Sequence, residues 1–125
     1  MLRDSEAFSG FAVADMAEAR RFYGEVLGLR LSDSPEFGLM NLHLAGGRDV
    51  LIYPSRDAVP ASYTILNFPV PDIDAAVDEL ARRGVVFERY DEFDQDEKGV
   101  FRGDGPLIAW FRDPAGNVLS VLQTD

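Results

Sequence analysis

Phe11-Ala12-Val13-Ala14-Asp15-Met16 and Phe68-Pro69-Val70-Pro71-Asp72-Ile73 are two versions of one phrase, an alternating apolar run that ends on an Asp and passes into a helical pattern. Two such phrases in 125 residues predict a single domain over 1–125, built from paired modules at about 7–53 and 64–123. A ligand held between two copies of a module would draw on matching positions in both, so the duplication also says where to look for chemistry.

Working outward from the first phrase, residues 7–14 alternate as a strand, and Asp15 followed by Glu18 forms a capping-box-like helix start. Met16, Ala19, Phe22, Tyr23, Val26 and Leu27 share one helical face, and Gly28 is the stop. Strands are expected at 29–32, 38–44 and 49–53, parted by Pro35 and the Gly46-Gly47 turn, so the module reads β-α-β-β-β. After a polar connection at 54–62, the second module repeats the order. It has a strand at 64–70, the Asp72 cap, the apolar stripe Ile73, Ala76, Val77 and Leu80, the Gly84 stop, and strands at 85–89, 106–111 and 117–123. Only the second module carries a long acidic insertion, residues 90–105, of the kind that serves either as a lid or as solvated elaboration.

Composition narrows the partners. Twenty-two acidic residues against twelve basic ones give a net charge of −10, which repels phosphate backbones and anionic lipid, so neither nucleic acid nor a membrane is an expected partner. The absence of Cys excludes disulfides, thiolate nucleophiles and thiolate metal sites and is compatible with the cytoplasm, the expected location. No signal peptide or membrane span is readable at the N-terminus.

Arg21-Phe22-Tyr23-Gly24-Glu25-Val26-Leu27-Gly28-Leu29, together with Phe111-Arg112-Asp113-Pro114-Ala115-Gly116-Asn117-Val118-Leu119, resembles the vicinal oxygen chelate superfamily. That superfamily includes glyoxalase I, bleomycin-resistance proteins, fosfomycin-resistance enzymes and extradiol dioxygenases. The resemblance runs from about residue 8 to 122 and implies an α+β fold in which two βαβββ modules form a cupped eight-stranded mixed sheet around a ligand cavity. It also implies a homodimer, which the exposed strand edges of so small a domain favour physically.

Metal-dependent members place His, Glu or Gln on the first and last strands of each module. Matched on Asp15 and Asp72, two of those positions are Phe8 and Ile65; matched on the Asp-Pro-x-Gly-Asn turn, a third is Ser120. Aligning Asp49-Val50-Leu51-Ile52 on Asn117-Val118-Leu119-Ser120 makes the fourth Ile52. One hydroxyl among three apolar side chains cannot hold zinc, nickel or iron, so no metal or other cofactor is expected. The same alignment turns Trp110 and Leu42 into the cup. Phe8, Ile52, Ile65, Asn67, Trp110 and Ser120 are therefore the candidate ligand-binding residues, suited to a flat, partly apolar small molecule. Asp91, Glu92, Asp94, Asp96 and Glu97 would favour a cationic one if the insertion closed over it.

His43, the sole histidine, pairs with Phe111 in this alignment and is expected to point toward the helices as a structural residue, since no Ser, Cys or Asp at a diagnostic spacing completes a triad. The favoured function is a metal-free, bleomycin-resistance-like small-molecule binding protein. The alternative is a glyoxalase- or dioxygenase-related lyase or isomerase with unconventional proton-transfer groups drawn from His43, Tyr23, Tyr53, Tyr63, Tyr90 or the acidic loop.

Overall fold

A computed structural model describes residues 1–124 and divides the chain into two compact units, Met1–Val59 and Pro60–Asp125. In the first unit, β1 (Ser9–Val13) is followed by α1 (Met16–Arg20), which runs on as a π-helical stretch, Arg21–Val26. Strands β2 (Arg30–Ser34), β3 (Leu39–Leu44) and β4 (Arg48–Pro54) then complete a mixed sheet in the order β1-β4-β3-β2. The parallel β1–β4 pair closes the module, which is the geometry a strand–helix–strand crossover requires. In the second unit, β5 (Thr64–Pro69), α2 (Ile73–Arg82), β6 (Leu107–Arg112) and β7 (Val118–Gln123) give a sheet in the order β5-β7-β6, again with first and last strands parallel. The architecture is α+β with two mixed sheets of four and three strands. The strand expected at 85–89 is reduced to a bridge from Phe87 to Phe111 and one hydrogen bond from Glu88 N–H to the Trp110 carbonyl at 2.8 Å.

Both helix starts form as the repeated Asp dictates. Asp15 accepts from the Glu18 N–H and Asp72 from the Ala75 N–H, each at 3.1 Å. Gly28 and Gly84 end the helices at positive φ, 71° and 95°. The π-helical stretch makes a bond from Leu27 N–H to the Phe22 carbonyl and lays Gly24 so close to β2 that an added Cβ would stand 3.0 Å from Leu31 Cδ1. Glycine there lets the helix approach the sheet.

Each sheet has one face covered by its helix. In the first unit, Phe11, Ile52 and Met40 form a cross-strand row on that face, with Leu42, Val50 and Leu31 beside it, and Phe11 meets the buried Tyr23 ring at 5.6 Å. In the second, Leu119, Phe111, Ala109 and Val121 are buried on the side of Ile73 and Val77, and Phe87 packs edge-on against Phe111.

The β6–β7 turn is held by a buried polar knot. Asp113 Oδ1 accepts the Ala115 and Asn117 N–H groups at 2.9 and 2.8 Å, its Oδ2 accepts Asn117 Nδ2, and Asn117 Oδ1 accepts the Ala61 N–H at 2.9 Å. The chain entering β5 is thereby tied to the far hairpin. Gly116 completes the turn at φ 98°, with Pro60 Cγ 3.1 Å from where a Cβ would sit. Asp113→Ala strands these buried donors and should cost about 2–3 kcal/mol, whereas Gly116→Ala, strained in φ and crowded by Pro60, should cost about 1 kcal/mol or more. Urea unfolding monitored by circular dichroism checks both, and an unchanged midpoint in Asp113→Ala would refute the knot's role.

Candidate functional site

Three of the sequence-derived candidates come together. In the second unit's register Asn67 pairs with Ser120 and Ser120 with Trp110, so one residue from each of β5, β7 and β6 stands in a row on the sheet face turned away from α2. Ser120, fully buried, donates its hydroxyl to Asn67 Oδ1 at 2.6 Å. Next to this polar pair, the Trp110 indole is walled by the acidic insertion. The Phe93 ring stacks on it at 5.2 Å with an interplanar angle of 13°, Tyr90 meets it edge-on at 5.4 Å, and Phe101 packs against Phe93 at 5.3 Å. Phe93 remains 40% exposed, so this aromatic group borders solvent.

The insertion is internally braced. Gln95 Oε1 accepts the Tyr90 N–H at 2.7 Å while its Nε2 donates to the carbonyls of Glu88 and Gly99. Arg89 donates to the carbonyls of Asp96 and Glu97. Asp96 accepts from the N–H groups of Lys98 and Val100 and from Arg102, and Arg102 and Lys98 continue to Asp74 and Asp78 on α2. The carboxylates expected to form a solvated run thus divide: Asp96 organises the loop, while Asp91, Glu92 and Asp94 stay exposed.

Partial burial raises the cost of charging Asp96, but hydrogen bonds from Arg102, Val100 and Lys98 outweigh it and hold the carboxyl below its ordinary value. Burial and the nearby Glu88 push the Tyr90 phenol upward, keeping it a neutral donor rather than a base.

The other candidates fall elsewhere. Phe8 precedes β1 and is 69% exposed. Ile65 is the extra residue of a bulge, since Thr64 pairs with Val118 and Leu66 with Leu119. Ile52 lies on the helix-covered face, fully buried between Phe11 and Met40, and Leu42 is buried on that face as well. The two registers give the physical reason: Gly10 and Asn67 stand five residues before Asp15 and Asp72, and Gly10 pairs with Leu51 as Asn67 pairs with Ser120. Leu51, not Ile52, matches Ser120, and Asn41, not Leu42, matches Trp110. The same one-residue step corrects His43, which matches Arg112 and projects from the face turned away from α1. Its Nε2 lies 2.7 Å from Ser32 Oγ and its Nδ1 2.9 Å from Asp49 Oδ1. Sequence spacing missed this group because its members sit on three different strands, β2, β3 and β4.

The family model described as the Glyoxalase/Bleomycin resistance protein/Dioxygenase superfamily matches residues 8–121. The chain belongs to this superfamily. Solved structures with the same fold include TnmS3, an antibiotic binding protein from Streptomyces sp. CB03234, at 23% identity over 98% of both chains with a TM-score of 0.71. A superfamily member from Sphaerobacter thermophilus is 22% identical over 94% of this chain and 97% of its own, with a TM-score of 0.70. The fosfomycin resistance protein FosX from Listeria monocytogenes is 11% identical over 98% and 94%, with a TM-score of 0.74. No curated protein matches the chain.

The donor set does not fit the metal that the superfamily resemblance implies. Phe8, Ile65 and Leu51 offer no donor, Ser120 has committed its hydroxyl to Asn67, and among the described residues no three His, Cys, Asp or Glu groups are arranged to hold an ion. Among the same residues no helix is long and apolar enough to cross a membrane.

Elemental analysis of untagged protein should find zinc, nickel, iron and manganese far below one per chain, and a stoichiometric amount would mean that the chain does hold an ion. Asp96 yields a second expectation. Its folded-state pKa lies below the unfolded value, so its contribution is complete above about pH 4 and is lost as pH falls through the folded value. Trp110 emission should shift to the red over that acid range, and Asp96→Asn should already be shifted at neutral pH.

Proposed function

We propose that the protein binds a small, flat, partly apolar molecule, with Trp110 as the platform and the Asn67–Ser120 pair as the polar contact. The observation that carries this reading is the stack of Phe93 on Trp110. A solvent-bordering aromatic ring from an insertion lies on the indole face that a planar ligand would use, beside a polar pair able to fix orientation. The fold shared with an antibiotic binding protein supports sequestration, which needs no catalytic group. Asp91, Glu92 and Asp94 near the platform favour a cationic ligand, in keeping with the charge of −10 that also argues against nucleic acid. We further assign the protein to the cytoplasm, consistent with its lack of Cys, and to a homodimer, since β1, β2 and β5 end their sheets as strand edges.

Titration of bleomycin-type or other cationic planar aromatics should quench Trp110, the single tryptophan, saturably at one site per chain. Phe93→Ala, which uncovers the indole, should tighten binding several-fold, and Trp110→Phe, followed by isothermal titration calorimetry because it removes the fluorophore, should weaken it about fivefold, in line with an aromatic stacking contact of about 1 kcal/mol. Indifference of affinity to both substitutions would refute the platform. Light scattering on the same samples should give twice the chain mass.

A further inference from the structure

The chemistry-bearing group that ligand capture leaves unused is on the first unit, where β2, β3 and β4 carry Ser32, His43 and Asp49 on one face. The partners permit one tautomer suited to general-base work. An ionised carboxylate only accepts, so His43 Nδ1 carries the proton directed at Asp49 Oδ1, 2.9 Å away. With Nδ1–H so directed, the general-base form of the ring places its lone pair on Nε2, 2.7 Å from Ser32 Oγ and within reach of the hydroxyl proton. This is the hydrogen-bond order of nucleophile, base and orienting acid that activates a serine. The three residues sit on adjacent, mutually paired strands, which hold such a constellation better than loops do. His43 and Asp49 have side chains 39% and 55% exposed, so a substrate reaches them directly from solvent. Arg30, across from His43 in the register, adds a cation to the same face where an anionic intermediate would form.

We propose that Ser32, His43 and Asp49 form a nucleophilic triad that hydrolyses small esters with good leaving groups. Ser32 Oγ attacks the acyl carbon as its proton passes to His43 Nε2. The acyl C–O bond breaks, and the leaving oxygen takes that proton. Water then attacks the acyl-serine with His43 again as base, releasing the acid and returning the proton to Ser32. Water is the only co-reactant. Asp49 is the positioning residue that keeps the imidazole in the required tautomer. The activity uses the first unit alone and is independent of ligand capture at Trp110.

The test is p-nitrophenyl acetate turnover by the full-length protein, with fluorophosphonate labelling and peptide mapping. The expected result is an adduct on Ser32 and hydrolysis that falls to the buffer rate in Ser32→Ala. His43→Ala should lower the rate about 100-fold, the lower range of general-base assistance. Asp49→Asn should be similarly slow and Asp49→Glu partly restored, a pattern that a purely structural aspartate would not produce. Because these side chains are exposed, the variants should keep the wild-type circular dichroism and Trp110 emission. Adduct formation at another residue, no adduct at all, or undiminished turnover in a folded Ser32→Ala would overturn the proposal.

Discussion

Each unit depends on the parallel pairing of its first strand with its last. A helix must intervene between strands that run the same way, and it can pack only on one face of the sheet they form. Once Phe11 pairs with Ile52, the row Phe11–Ile52–Met40 faces the helix and the row Gly10–Leu51–Asn41 faces away. The pairing of Asn67 with Ser120 does the same in the second unit and delivers Trp110 to the outward face. Core and candidate site are opposite sides of one decision about register.

The two outward faces have diverged. Where the second unit carries Asn67, Ser120 and Trp110, the first carries Gly10, Leu51 and Asn41, and only the second is decorated by an aromatic insertion. Where Arg112 reaches Glu88 in the second unit, its counterpart His43 bridges Ser32 and Asp49. Equivalent positions of the two modules thus carry different chemistry, an aromatic stack in the second and a hydrogen-bonded Ser–His–Asp group in the first.

The braced insertion shows how an acidic run becomes structure. Buried backbone N–H groups need acceptors, and Asp96 meets two of them while also engaging Arg102. The neighbouring carboxylates Asp91, Glu92 and Asp94 remain in solvent. A run of like charge therefore conceals one residue with a specific architectural role among others that set only the local potential.

Much of this was legible from the chain alone, because it rests on local signals. The duplicated phrase, the Asp caps, the glycine stops at positive φ and the Asp-Pro-x-Gly-Asn turn each depend on residues within a few positions of one another. That Phe8, Ile65 and Ser120 carry no imidazole or carboxylate is likewise legible from the sequence alone. Tertiary structure decided which way the central strands face. Val50, Leu51, Ile52 and Tyr53 are consecutive apolar residues, so no alternation marks their inward side, and a one-residue slip exchanges the faces without changing the pattern. Only pairing with β1 and β3 breaks that degeneracy. It sends Ile52 into the core and brings His43 to Ser32 and Asp49, while within the second unit the insertion lays Phe93 against Trp110 of β6; contacts between distant strands and loops have no signature in spacing along the chain.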